Sequence, residues 1–196
     1  VSSEAEMRLA LAAGIPPGRL VLHGNNKSPA EMAMAVRAGV GRVVADSLWE
    51  LERLAAAAAA GGRRLGVLLR IQPGVRAGAH DAIQTGHEGS KFGIPVEDGQ
   101  ARQAVAFTLA NPHLELLGYH VHIGSQILSL EPFRQAARVV AEFAVGMWRE
   151  LGAPCREVDM GGGLGVRYVA GDRPPSIESL VEALGESLAG VFGAAG

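Results

Sequence analysis

Apolar residues fall in short runs along this chain, separated by stretches whose apolar positions recur every three or four residues. The strand-length runs are RLVLHG (19–24), RVVADS (42–47), LGVLLRI (65–71), LELLGYHVHIG (114–124) and REVDMGGG (156–163). GVLLRI is apolar without alternation, as a parallel strand covered on both faces requires. The segments between the runs are long enough to be helical crossovers. The clearest runs from about Ser129 to Leu151, where Leu130, Phe133, Ala137, Val140, Ala144, Met147 and Leu151 make one apolar stripe. Arg134, Arg138, Glu142 and Arg149 take the opposite face.

The junctions repeat one signal. Ser3–Glu6, Ser28–Glu31 and Ser47–Glu50 each read S-x-x-E at the mouth of a helical segment. In such a box the serine accepts from the amide three residues on, and the glutamate reaches back. Pro29 takes the first helical position, and Gly14, Gly39, Gly61 and Gly152 stand near helix ends. Val1-Ser2 has the look of the tail of another strand. Repeated βα units predict a parallel sheet, either closed as a barrel or open and doubly wound. The barrel is favoured because polar groups collect at the C-terminal ends of the strands: His23, Asp46, Arg70, His122, and Asp159 with Gly161. In βα barrels that rim carries the chemistry. The predicted fold class is therefore α/β, an incomplete TIM-type (β/α)8 barrel holding about strands 2 to 7.

Composition narrows the partner. The 196 residues are 48% hydrophobic, with 18 basic and 20 acidic side chains and a formal net charge of −2. Without a Lys/Arg block this gives no support to nucleic acid or an anionic membrane, and a small ligand is expected. The single cysteine, Cys155, cannot form an internal disulfide, which fits a reducing cytoplasm. No apolar run approaches the roughly 20 residues that cross a bilayer. A chain beginning at Val1 without methionine reads as cut from something longer.

Two stretches carry candidate chemistry. In MGGGLG (160–165) three successive glycines follow a strand. Either they make a tight turn, or they present a concave array of amides to an anion that side chains would block. In HVHIGSQ (120–126), His120 and His122 share a face by the two-residue period, and a Gly-Ser turn follows. One reading is a metal site, with His23, Asp46 and Asp159 on neighbouring strand ends as further ligands. The other is a phosphate cradle with an imidazole beside it, which suits a flat, phosphorylated, aromatic cofactor; Ser125 and the later glycines favour it.

HGNNKS (23–28), VVADSLWEL (43–51), LLRIQPGV (68–75), TGHEGSKFG (85–93), HVHIGSQI (120–127) and MGGGLGVRY (160–168) occur in that order and resemble the diaminopimelate decarboxylases, pyridoxal-phosphate enzymes built on an alanine-racemase-like barrel. The resemblance runs nearly end to end, and HGNNKS with HIGSQ is its most specific part. It implies pyridoxal 5'-phosphate as cofactor, with His122 stacked on the pyridine face, Ser125 bonding the phosphate, Gly161, Gly162 and Gly163 holding it, and Arg70 near the ring substituents. His120 is left as a structural neighbour. No metal ligand is implied.

The resemblance also implies what this stretch lacks. The Schiff-base lysine of the family lies upstream of Val1, and Lys27 and Lys91, the only lysines here, match it in neither case. The acidic partner of the ring nitrogen, the substrate arginines, the catalytic cysteine and a C-terminal β domain lie downstream of Gly196. Cys155 reads as a buried or half-buried thiol. Residues 1–196 are thus expected to be part of a pyridoxal-phosphate-binding barrel domain, inactive alone and prone to association at unpaired edges. The parent is expected to be a cytoplasmic, homodimeric carboxy-lyase converting meso-diaminopimelate to L-lysine. Rival readings are a decarboxylase of the same fold acting on carboxynorspermidine or arginine, a non-catalytic barrel relative, and a metal-dependent hydrolase barrel.

Overall fold

The computed structural model describes residues 1–75 and 92–195. Helix α1 (Glu4–Ala12) and a 3-10 turn (Pro17–Arg19) lead to strand β1 (Val21–Leu22), and α2 (Pro29–Ala38), β2 (Arg42–Ala45), α3 (Leu48–Ala60) and β3 (Leu65–Gln72) follow in alternation. Then come β4 (Ile94–Pro95), α4 (Gln100–Ala110), β5 (Leu114–His120), α5 (Glu131–Leu151), β6 (Glu157–Asp159) and α6 (Ile177–Ala194). All strand pairs are parallel, in the order β1-β2-β3-β5-β6, with β4 a short pairing on the end of β3. Val1 continues the ladder outside β1: its amino group donates to the Val21 carbonyl and its carbonyl accepts from the His23 N–H.

The sheet is curled. Arg42 at the start of β2 and Glu157 at the start of β6 are three strands apart, roughly 14 Å in a flat sheet, yet Nε lies 2.6 Å from Oε1. His23, just past β1, and Asp159, which ends β6, are four strands apart and approach to 3.9 Å. Such contacts require the arc of a barrel, so the predicted fold class stands, an incomplete α/β barrel.

Hydrophobic burial explains the layers. Val67, Leu68, Leu69 and Ile71 of β3 are all at most 1% exposed, as its unbroken apolar pattern demands. On α5 the predicted stripe is the buried one: Phe133, Ala137, Val140, Ala144 and Met147 face inward. Leu130 and Leu151 close its ends half-buried. A smaller apolar cluster of Val75, Ile123, Ile127, Phe133 and Ala136 lies apart from the main core and anchors the turn after β5.

The helix boxes differ from expectation in one respect. All three serines accept from the amide three residues on, but only Glu31 reaches back to its own serine, Ser28. Glu6 turns to Ser2, and Glu50 to Asp46 and Lys27, because those donors lie closer to hand. Strand bounds are also tighter than the apolar runs: β5 stops at His120 and β6 at Asp159, where the chain turns over the end of the sheet.

Candidate functional site at the C-terminal end of the sheet

Polar side chains gather at the C-terminal ends of β1, β3, β5 and β6. His23, Arg70, His120, His122, Asp159, Gly161 and Gly162 line an open cleft of about 390 Å³. Both histidines of the H-x-H pair reach it. The His23 and His120 rings meet edge to face, with centroids 5.1 Å apart and planes at 69°. His120 is 4% exposed, and its Nδ1 has no hydrogen-bond partner among the described residues.

The floor is a buried charge network. Arg70 Nη1 donates to Asp46 Oδ1 at 3.1 Å, and the Gly93 N–H donates to Asp46 Oδ2 at 3.1 Å. Asp46 therefore stands behind the cleft, fixing Arg70, rather than on its rim. The Asp46 N–H donates to Glu50 Oε2 at 2.8 Å, and Glu50 accepts from Lys27 Nζ at 3.0 Å. Lys27 gives its other two protons to the Gly24 and Val44 carbonyls, each at 2.6 Å. Three acceptors use all three donors of an ammonium. Burial pulls the Lys27 pKa down, against the pull of the Glu50 carboxylate.

Burial also sets the charge of the walls. It lowers the pKa of His120 to about 3, with His23 and Arg70 pushing the same way. His23 and His122 are lowered by burial as well, with Asp159 opposing. The imidazoles are thus held neutral, and Arg70 is the cation of the cleft. A neutral, flat imidazole presents a face suited to stacking on an aromatic ring.

The rim joins two loops. The Ile127 N–H donates to the Gly163 carbonyl and the Gly165 N–H to the Ile127 carbonyl, each at 2.9 Å, with a parallel bridge between Ile127 and Leu164. Gly161 has φ 65°, and a Cβ there would lie 2.6 Å from the Val121 oxygen; Gly163 has φ 106°, and its Cβ would strike the Gly124 carbonyl. Only glycine fits those two positions. Gly162 differs, because a Cβ there meets nothing within 4 Å and would project into open space. The Gly161 N–H is already committed to Asp159 Oδ1 at 2.8 Å. The N–H groups of Gly162 and Gly163 and the exposed Ser125 hydroxyl make no hydrogen bond among the described residues. Two open amides and a hydroxyl, with the Arg70 guanidinium in the adjoining cleft, are the kind of donors an anion would need. No group of three or more His, Cys, Asp or Glu side chains among the described residues is arranged to hold a metal ion.

Of the residues singled out in the sequence, Arg70, His122, Gly161 and Gly162 line the cleft, and Ser125 and Gly163 sit in the joined loops at its rim. Lys91 and most of TGHEGSKFG lie outside the described residues. Cys155 is half-buried as expected, its thiol pushed up to about 11 by burial. Sequence reasoning missed the Lys27–Glu50 pair and the paired hydrogen bonds between the Gln126 side chain and the Val166 backbone. Glu50 was hidden by its S-x-x-E box, and the signal for Gln126 was its place directly after a Gly-Ser turn.

Residues 1–195 match the family described as pyridoxal-dependent decarboxylase, pyridoxal binding domain. The chain is 45% identical over 189 residues to the diaminopimelate decarboxylase of Mycobacterium tuberculosis, covering 94% of this chain and 42% of that protein. It is 40% identical over 192 residues to that of Bacillus subtilis, covering 95% and 44%. The crystal structure of diaminopimelate decarboxylase from Helicobacter pylori complexed with L-lysine superposes with a TM-score of 0.90 at 32% identity, over 96% of this chain and 47% of that one. The chain thus spans less than half the length of the curated relatives it matches. Among the described residues no helix is long and apolar enough to cross a membrane.

Proposed function

This chain belongs to the pyridoxal-dependent decarboxylases, as their pyridoxal-binding domain, and we propose that the protein carrying it converts meso-diaminopimelate to L-lysine and carbon dioxide. The observation that carries the substrate is the 45% identity to a diaminopimelate decarboxylase across nearly the whole chain. The cleft supports the same reading. Its open amides, hydroxyl and guanidinium fit the phosphate and ring substituents of pyridoxal 5'-phosphate.

When bound, this cofactor supplies an electron sink for the pair left on Cα as the carboxylate departs. The chain's own residues would do the holding. Gly162 and Gly163 would donate their N–H groups, and Ser125 its hydroxyl, to the phosphate, while Gly161 shapes the turn through its bond to Asp159. His122 would lie flat against the ring, kept neutral by burial so that it stacks without adding charge. Arg70, fixed by Asp46, would set the positive field at the ring substituents.

The reading extends to the whole protein. Residues 1–196 form part of a barrel domain with a C-terminal β domain outside it, in a cytoplasmic homodimer, as the resemblance of the motifs implies. The test is an assay of the full-length protein with pyridoxal 5'-phosphate, following L-lysine formed from meso-diaminopimelate, with L-ornithine and L-arginine offered in parallel. Lysine formation is expected. Turnover of ornithine or arginine with none of diaminopimelate would overturn the substrate.

A further inference from the structure

Gln126 is the one non-glycine residue with positive φ among the described residues, at 59°. A side chain with a Cβ resists that left-handed conformation, and such residues persist where their surroundings over-determine them. The surroundings here are explicit. Gln126 Nε2 donates to the Val166 carbonyl at 2.5 Å, and the Val166 N–H donates to Gln126 Oε1 at 3.0 Å. A side-chain amide thus pairs with a backbone amide in both directions, as one more rung of the ladder that Ile127 makes with Gly163 and Gly165.

The position of this rung gives it consequence. Gln126 directly follows Ser125, and Val166 closes the loop that begins with the glycine triplet. The loops touch through backbone at Gly163, where no side chain fits against Gly124. Their relative placement decides whether the Ser125 hydroxyl and the Gly162 and Gly163 amides converge on one point. Ile123 and Ile127 anchor the first loop in the apolar cluster. In the second loop Met160 and Leu164 pack against the same cluster on either side of the triplet, but beyond Leu164 the chain has Val166 and Tyr168 exposed, at 57% and 77%, so apolar burial does not hold that far end. The polar clamp supplies what burial does not.

We propose that Gln126 is a positioning residue for the anion cradle: its two hydrogen bonds to Val166 hold the glycine loop against the turn so that Ser125, Gly162 and Gly163 address one phosphate. This rests on the reading of the rim as the cofactor's phosphate site.

The test uses the full-length protein and two variants chosen to separate the clamp from the strain. Gln126→Met keeps the length and the φ penalty and loses both bonds; Gln126→Gly removes the penalty and loses both bonds. An effect shared by the two belongs to the clamp. The readouts are the dissociation constant for pyridoxal 5'-phosphate, by absorbance titration of the apoprotein, and the 31P resonance of the bound cofactor. Both variants should weaken binding by about tenfold, the equivalent of one charge-assisted hydrogen bond, and both should move the 31P resonance. Wild-type affinity and an unmoved resonance in either variant, whatever its melting temperature, would overturn the proposal. Gly162→Val is run beside them. If it too binds normally, the phosphate reading has failed; if it alone weakens binding, only the role of Gln126 has failed.

Discussion

Lys27 and Glu50 face each other at 3.0 Å with side chains 2% and 4% exposed. One comes from the turn before α2 and the other from the first turn of α3, and through the Asp46 amide they reach the residue that fixes Arg70. Breaking such a pair on one side strands a buried charge, at a cost of about 3–5 kcal/mol. Lys27→Met should therefore lower the unfolding free energy in urea by about that amount. Adding Glu50→Gln should recover part of it, since a neutral amide carries no stranded charge. A loss under about 1 kcal/mol in the single variant would show that the pair bears no such weight.

The glycine triplet should divide by position. Gly162→Val adds its side chain to open space, with no positive φ to resist a β-branched residue, so the apoprotein should melt as wild type while cofactor affinity falls. Gly163→Ala should destabilise folding itself, because its Cβ would strike the Gly124 carbonyl at φ 106°. Thermal melts and cofactor titration of the two variants check this. The reverse assignment of effects would contradict the geometry.

How much of this was legible in the sequence follows from the range of the interactions. The strand ends that supply His23, Arg70, His122 and Asp159 were readable because period, turn residues and strand length are local signals. So was the stripe of α5. The strand β4, two residues ending in Pro95, is too short to have a period. The partner of Glu50 lies 23 residues away, and that of Gln126 lies 40 away, so neither could be read from spacing. Three successive glycines do not say which of them the turn requires; the fold places the φ demand at Gly161 and Gly163, on either side of Gly162.

His120 should register in the acid response. The fold lowers its pKa from 6.5 to about 3, chiefly by burial, so it favours the neutral ring. Its contribution to stability is full above pH 6.5 and is lost as the pH falls toward 3, where the unfolded chain binds one proton more. His120→Phe should therefore flatten the dependence of unfolding free energy on pH between those limits by about one proton, roughly 1.4 kcal/mol per pH unit. His23 and His122 are shifted in the same direction and keep part of the slope. An unchanged slope in urea titrations across that range would count against a buried, neutral His120.

Tyr119 is fully buried, and its hydroxyl has no hydrogen-bond partner among the described residues. Removing a buried unsatisfied hydroxyl is neutral or favourable. Tyr119→Phe should leave the unfolding free energy unchanged or raise it by up to about 1 kcal/mol, measured by chemical denaturation. A clear loss would mean that the hydroxyl finds a partner in the full protein.

The central claim is that this cleft holds the cofactor by its phosphate at the joined loops and by its ring at His122. A crystal structure of the full-length protein with pyridoxal 5'-phosphate measures that directly. The account predicts phosphate oxygens within hydrogen-bond distance of the Gly162 and Gly163 amides and the Ser125 hydroxyl, with the ring stacked on His122. A phosphate bound elsewhere, or a ring out of contact with His122, would contradict it.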